Sequence, residues 1–405
     1  MDKRIVLGVL CAMLTACGGG GGGGGSSSGG SVPSGPPQAT KTAPPVIPNA
    51  HVGVAVFGDD SYGPGALDVV SLFDGNGQPL PSPAVVTIAL PYMFDLEDIA
   101  ISPDASIGLI ADGARTLRVF TGLAARNPVI SSTILDVSAH GNDLDAVRLF
   151  NNGDEAVISA DTDSQLYVVS GVRSGAPVFA QAIATPDLRN GLVLSSDDSV
   201  LLARGYSGVT VYAVAATTPQ QGLLGGWIYH SFTETGNFTA VPVLDAADAR
   251  GGMASDPADV SRAIVVGGSS LVELTGLPNS AAASSAVPIS GARNSFAVAI
   301  SPDGTTAFVG TDAGIAVFSG VNTGTPAQTQ SVTVPGSNGD TLQQLSNVQV
   351  TSDGKYLVVV GRSAQLASGS NGYLVVLPIV SGKLGAPVTT VTNVPVPDNN
   401  QLLVQ

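Results

Sequence analysis

The stretch AISPDASIGLIADGARTLRVF at 100–120 returns about two hundred residues later as AISPDGTTAFVGTDAGIAVFSG at 299–320. A chain that writes one clause twice is building one unit twice, and this clause recurs further. Its turn, Asp104-Ala105, has counterparts at Asn152-Gly153, Asp197-Asp198, Asp259-Val260, Asp303-Gly304 and Asp353-Gly354, at intervals of 48, 45, 62, 44 and 50 residues. Periods of this size mean an array of like supersecondary units, each packed mainly on its neighbours. That also resolves a conflict of size. The residues after position 49 exceed the roughly 250–300 that one hydrophobic core supports, yet no break in composition divides them.

Each unit reads as strands. A short apolar run stands before the turn (Ile99 to Ile101, Phe296 to Ile300), a second follows it (Ser106 to Ala111, Thr306 to Val309), and a third comes after a polar link (Leu117 to Phe120, Ile315 to Phe318). A fourth, weaker run is present in most units, as at Val129 to Ile134 or Gln330 to Val334. β-branched runs of four to seven residues between turn formers are strand signals, and nothing reads as a long amphipathic helix. In the turn itself, Asp bonds its own backbone and the next residue accepts positive φ, while Pro103 and Pro302 fix φ before it. The clause is therefore turn chemistry and packing, not catalysis. Four strands at a period near 48 predict an all-β fold, a β-propeller of four-stranded blades.

Residues 51–74 supply a second and a third strand with no first strand ahead of them. The stretch NNQLLVQ at 399–405 resembles the first-strand stretch RNGLVLS at 189–195. The C-terminus is thus expected to complete the first blade as its innermost strand, closing a ring of seven blades. The succession of SPDG, hydrophobic strand, polar link and xVxVF strand resembles the YVTN and lactonase-like seven-bladed propeller superfamily over nearly all of 50–405. The resemblance implies the fold, and propeller lactonases suggest a metal held by acidic and Asn ligands.

The N-terminus carries a separate message. Lys3 and Arg4 precede an apolar run from Ile5 to Ala16, too short for a bilayer, which needs about 20 residues. The run ends in Leu14-Thr15-Ala16-Cys17, which resembles the lipobox of bacterial lipoproteins. That resemblance implies cleavage before Cys17 and acylation of it, and Gly18 in place of Asp implies the outer membrane. An ordinary secretory signal cut after a small residue is the alternative. The expected organisation is a signal peptide at 1–16, lipidated Cys17 with a flexible Gly/Ser/Pro tether at 17–49, and one propeller at 50–405. Cys11 would leave with the signal, so the mature chain has no disulfide.

Charge removes other classes of partner. The formal net charge is -15; losing Asp2, Lys3 and Arg4 (net +1) would make it -16. Nucleic acid is repelled and so are anionic headgroups, which leaves the acyl chains as the membrane attachment. A monomer is expected.

Candidate sites lie where the repeat does not repeat. Links entering the first strands bear Glu97, Asp98, Asp143 and Asp145, then Arg189, Asn190, Arg250, Arg293 and Asn294. A channel mouth acidic on one side and cationic on the other could hold a polar ligand, with arginines as bidentate donors to a carboxylate or phosphate; alternatively these residues are solvated and bond neighbouring backbone. Links at 58–68 and 361–373 would wall one sector of that face. The 62-residue interval holds the chain's one tryptophan, Trp227, with Tyr229, His230 and Phe232, read either as a partner-contact loop or as a loop folded over the blade edge. His51, His140 and His230 lack metal-ligand spacing, and no nucleophile arrangement or phosphate loop is present. No catalytic residue and no cofactor is expected, with Ca²⁺ on the four acidic rim residues the one metal suggested. The reading is a lipid-anchored cell-envelope protein whose propeller binds a partner or small polar ligand; alternatively, a metal-dependent lactonase-like hydrolase or quinoprotein-like enzyme works at the rim.

Overall fold

The computed structural model describes residues 54–59, 66–90, 96–112, 116–137, 144–160, 164–186, 189–205, 207–238, 252–336, 339–363, 372–394 and 403–404. The signal, Cys17, the tether, His51 and His140 lie outside them, as do most of 58–68 and 361–373. Among the described residues there is no α-helix, and the strands fall into seven antiparallel sheets arranged as a β-propeller.

The first sheet holds β1 (Val54–Asp59), β2 (Ala66–Phe73) and β3 (Pro79–Ala89). The second holds β4 (Leu96–Ile101), β5 (Ile107–Asp112), β6 (Thr116–Thr121) and β7 (Val129–Asp136). The third holds β8 (Leu144–Leu149), β9 (Glu155–Ala160), β10 (Gln165–Ser170) and β11 (Val178–Ala184). The fourth holds β12 (Arg189–Leu194), β13 (Val200–Gly205), β14 (Gly208–Gln221) and β15 (Trp227–Phe238). In the fifth, β16 (Met253–Ser255), β17 (Arg262–Gly267) and β18 (Ser270–Thr275) are followed by two short outer pieces, β19 (Ala282–Ala283) and β20 (Val287–Pro288). The sixth holds β21 (Ser295–Ile300), β22 (Thr306–Thr311), β23 (Gly314–Ser319) and β24 (Ala327–Val332). The seventh holds β25 (Leu342–Val350), β26 (Tyr356–Ser363), β27 (Gly372–Val380), β28 (Lys383–Leu384) and β29 (Thr389–Val394). β30 (Leu403–Val404) pairs with β1, Ala55 opposite Val404 and Val56 opposite Leu403.

The composition of the strands follows from what covers them. In β5, Ile107, Leu109 and Ala111 pack toward the third sheet, while Ile110 packs toward the first. A strand covered on both faces has no solvent side, so its sequence is a near-continuous apolar run rather than an alternation. Outer strands do alternate, as β24 does with AQTQSV exposed at every second residue. Apolar clusters lie between each successive pair of sheets and also between the seventh and the first, where Val70 and Leu72 of β2 meet Val358, Val360, Leu374 and Val376.

The same seven contacts each carry a hydrogen bond from a side chain to a neighbouring sheet's backbone. Arg126 donates to Phe73 O, Arg204 to Val266 O, Arg262 to Val321 O and Thr389 to Leu80 O. Asp98 accepts from Val147 N and Asp198 from Asn151 N. Gln330 bonds both the N–H and the C=O of Leu384. Buried polar side chains are tolerated where such partners exist.

The repeated turn has the expected chemistry. Asp104 Oδ1 accepts from Ser102 Oγ and Ser106 Oγ, both at 2.7 Å, and from Ser106 N, while Ser102 Oγ accepts from Ile107 N. The set recurs at Ser195-Asp197-Ser199, Ser301-Asp303-Thr305 and Thr351-Asp353-Lys355. The residue after each Asp is left-handed: Ala105 at φ 53, Asp198 at 64, Gly304 and Gly354 at 71. The fifth sheet spreads the turn over two acids, Asp256 and Asp259.

A second repeated clause escaped the sequence reading. TGLAAR at 121–126, SGVRSG at 170–175 and SGVNTG at 319–324 each form a single 3-10 turn bounded by left-handed residues, and each buries its Leu123, Val172 or Val321. Gly-[Leu/Val]-x-x-[Gly/Arg] after the third strand is the signal that marks it.

Asp303→Ala removes three acceptor contacts from an exposed turn and should lower unfolding stability by about 1–2 kcal/mol at pH 7. Hydroxyl and backbone donors hold the Asp303 carboxyl below its usual range. Its stabilisation is therefore present at neutral pH and lost as the pH falls through that lowered value. Urea titrations at pH 7 and in strong acid should show the variant's deficit shrinking.

Candidate functional site

Four of the innermost strands share a departure from the regular ladder. Leu96 and Asp98 of β4 oppose the consecutive residues Asp112 and Ala111, so Glu97 is extra. In β8 the extra residue is Asp145, in β12 Asn190 and in β21 Phe296. Every one sits beside the last residue of the second strand: Asp112, Ala160, Gly205 or Thr311. They therefore lie at one rung, where the first strand enters the sheet. β25 is irregular in the same region, with two register shifts between Leu342 and Asn347. A bulge re-aims a side chain without disturbing the ladder beyond it. Three successive sheets thus bring Glu97, Asp145 and Asn190 to matching positions at the channel end.

These are three of the nine expected rim residues. Glu97 and Asp145 are 6% and 3% exposed, so they line the wall rather than stand in solvent. Arg293 and Asn294 are exposed on the link into β21, where Asp312 accepts from Arg293 N at 3.0 Å and donates its own N–H to Asn294 O. Arg189 and Asn190 have described backbone only, and Asp143 and Arg250 fall outside the described residues.

Asp98 reaches the third sheet, accepting from Ile99 N and Val147 N at 2.9 Å and pairing with Arg148. The Val147 N–H belongs to the inner edge of the propeller, where no further strand pairs with it, and a buried carboxylate from the neighbouring sheet meets that need. Arg148, 21% exposed in its side chain, was not singled out from the sequence. A charged residue inside the apolar run Ala146 to Leu149 was the available signal. Among the described residues no three His, Cys, Asp or Glu side chains gather as a metal ion requires; Asp143, the fourth acid of the expected set, lies outside them.

The Trp227 segment also departs from expectation, being strand and not loop. β14 and β15 form a long hairpin whose far half leaves its own sheet and lies on the third. Gly226 N donates to Phe179 O at 2.7 Å, and Trp227 N to Ser170 Oγ at 2.7 Å. At Gly222 a Cβ would lie 1.9 Å from Ala180 O, so only glycine allows the approach. Ile228 joins Val168 and Ala180 in a small apolar patch.

Below it the contacts become polar. Tyr229, 1% exposed, donates its hydroxyl to Asp154 and its N–H to Glu155 Oε1. His230 Nδ1 pairs with Glu155 Oε2, and its ring stacks on Phe150 at 4.4 Å; Phe232 meets the same Phe150 edge-on. The side chains of Tyr229, His230 and Phe232 thus make contacts within the chain, as in the reading of a segment folded over the blade edge. Burial pushes the Glu155 carboxyl and the Tyr229 hydroxyl up. Burial likewise raises Asp198, to about 6, against the Asn151 N–H that favours its charge.

No family model matches the chain, and no curated protein matches it in sequence. Solved structures do. The periplasmic gluconolactonase of Pseudomonas aeruginosa is 13% identical with a TM-score of 0.60, over 87% of this chain and 99% of that one. A candidate 6-phosphogluconolactonase of Bacteroides fragilis is 14% identical at 0.60, covering 85% and 99%. A protein of Lactobacillus plantarum is 16% identical at 0.60, covering 87% and 99%. At these identities the likeness is one of fold.

Arg148→Met would leave the Asp98 carboxyl buried with only backbone donors; loss of a buried partner should lower stability by about 3 kcal/mol, and pairing it with Asp98→Asn in a double-mutant cycle should recover part of the loss. Asp198 gives a prediction of opposite sign. Its folded pKa is raised from 3.8 to about 6, so its contribution is fully present below about 3.8 and is lost as the pH rises through about 6. Asp198→Asn, which also tolerates the left-handed backbone, should raise the melting temperature at pH 8 by the equivalent of about 3 kcal/mol and leave it nearly unchanged near pH 4.

Proposed function

We propose that this chain is a hydrolase of the lactonase type, opening a small polyhydroxylated lactone at the bulged mouth of its channel. The carrying observation is the shared rung that brings Glu97 and Asp145 to matching places in neighbouring sheets. Ring opening needs a base to take a proton from water as its oxygen attacks the carbonyl carbon, and an acid to return a proton to the ring oxygen when the C–O bond breaks. Glu97 and Asp145, two buried carboxyl groups on one rung, are the candidates for that pair of roles. The names of the gluconolactonase and of the candidate 6-phosphogluconolactonase lend further support.

In this reading the seven sheets are seven blades, and β30 beside β1 closes the ring as the C-terminal strand of the first blade. The pairing of Ala55 with Val404 and the apolar cluster between the first and seventh sheets support it. The enzyme stands off a bacterial outer membrane on a tether from lipidated Cys17, which rests on Leu14 to Cys17 and the glycine run after them.

The test is hydrolysis of glucono-δ-lactone and its 6-phosphate by the full chain in detergent, followed by pH-stat above the buffer rate. Glu97→Gln and Asp145→Asn should each lower kcat/KM on the order of 10²-fold or more with the melting transition kept. A wild-type rate equal to that of buffer for both lactones overturns the proposal. Saturable binding of the lactone without turnover would restore the reading of the mouth as a binding site alone.

A further inference from the structure

We propose that the β14–β15 hairpin is a proton-linked clasp, held on the third sheet most tightly while the Glu155–His230 pair carries its shared proton and loosened as that proton leaves. The proposal is independent of any activity at the mouth. It stands on what surrounds the imidazole. From β9 comes Glu155, fully buried, with both carboxylate oxygens bonded to β15. From the turn before it comes Asp154, which accepts from the Tyr229 hydroxyl and from Arg173 N. From the β12–β13 turn come Asp197 and Asp198, the second within electrostatic reach of both His230 and Glu155. On β15 itself Glu234 is exposed, four residues along the strand. The Arg173 guanidinium acts on Asp104. The titratable neighbours facing the ring among the described residues are therefore acidic, apart from Tyr229.

A coupled carboxylate–imidazole pair holds one proton between its members, whichever atom carries it. With that proton the pair is neutral as a whole. Without it, Glu155 is a buried negative charge beside Asp154 and Asp198, and the neutral imidazole holds it by one uncharged N–H where the protonated pair had a charge-assisted bond. Burial, which raises both Glu155 and Asp198, acts in the same direction: each carboxyl in the cluster gains charge only against the lack of solvent.

The effect is confined to the hairpin. The far half rests on Gly226 N–Phe179 O, Trp227 N–Ser170 Oγ and the small patch around Ile228. The main cluster between the third and fourth sheets, with Val157, Leu166, Leu201 and Tyr212, contains no ionisable member of the pair. The clasp can thus loosen while the sheets beneath stay packed, as local opening generally precedes global unfolding.

Hydrogen exchange by mass spectrometry on the full chain in detergent tests this at pH 5.5 and 8.5, with rates corrected for the intrinsic pH dependence of exchange. Amides of 222–232 should lose at least tenfold in protection at the higher pH, while those of the β22–β23 hairpin keep theirs. His230→Gln, which takes up no proton, should make the protection of 222–232 independent of pH. Glu155→Gln, which keeps an oxygen for Tyr229 N, should do the same. Protection of 222–232 that moves in step with β22–β23 in the wild type overturns the proposal, and so does a His230→Gln chain with the wild-type pH dependence.

Discussion

The structure depends on one constraint: each sheet is covered on both faces by its neighbours. A strand in that position offers no side to water, so its side chains are apolar at successive positions, and the stabilisation comes from contact between sheets and not within them. The polar side chains that do enter this space must carry partners with them. That explains why charged and amide side chains at the contacts reach a carbonyl or N–H of the adjoining sheet: Arg126, Asp98, Arg204, Arg262 and Gln330 each do so. These bonds are directional where the apolar contacts are not, so they fix how far one sheet can slide on the next.

That frame separates the two ends of every sheet. At one end the first and second strands are joined by a turn whose Asp satisfies itself locally, and its sequence is under the same demand in each copy. At the other end an extra residue enters the innermost strand without upsetting the rungs beyond it. Glu97, Asp145, Asn190 and Phe296 differ in chemistry while the strands around them keep their register. The residue at this rung therefore differs from sheet to sheet, and the repeated frame positions residues that the frame does not choose.

Much of this was legible in the chain. The turn, its Ser and Asp donors and acceptors, the order of strands and the pairing of 403–404 with the first sheet all follow from short-range rules acting on a repeat. The extra residue at the rung was not legible, because a bulge is a relation between two strands and leaves no mark in one. Asp98 and Asp145 look alike in sequence, each an acid at the head of an apolar run. Asp145 is the extra residue of its bulge, whereas Asp98 follows one and bonds the adjoining sheet. The 3-10 clause was present in plain sight at 121–126, 170–175 and 319–324, but its glycines resembled ordinary turn formers until the buried Leu123, Val172 and Val321 gave them a common task.

The aromatic segment of the long interval teaches a related point about concentration of unusual residues. Trp227 and Tyr229 share one face of the strand and Ile228, His230 and Phe232 the other, so the aromatics are divided between two faces and do not form one exposed stripe. A strand longer than its sheet must place its excess somewhere, and the adjoining third sheet offers an outer surface with Val168, Ala180 and Phe179. Glycines at 222 and 226 let the tip approach that surface, and the Glu155 carboxylate then accepts N–H groups from an edge that would otherwise face solvent. An extension of this kind uses its aromatics internally, binding one sheet to the next from outside. What it leaves for chemistry with other molecules is the opposite end of the propeller, where Glu97 and Asp145 stand out of register with the strands that carry them.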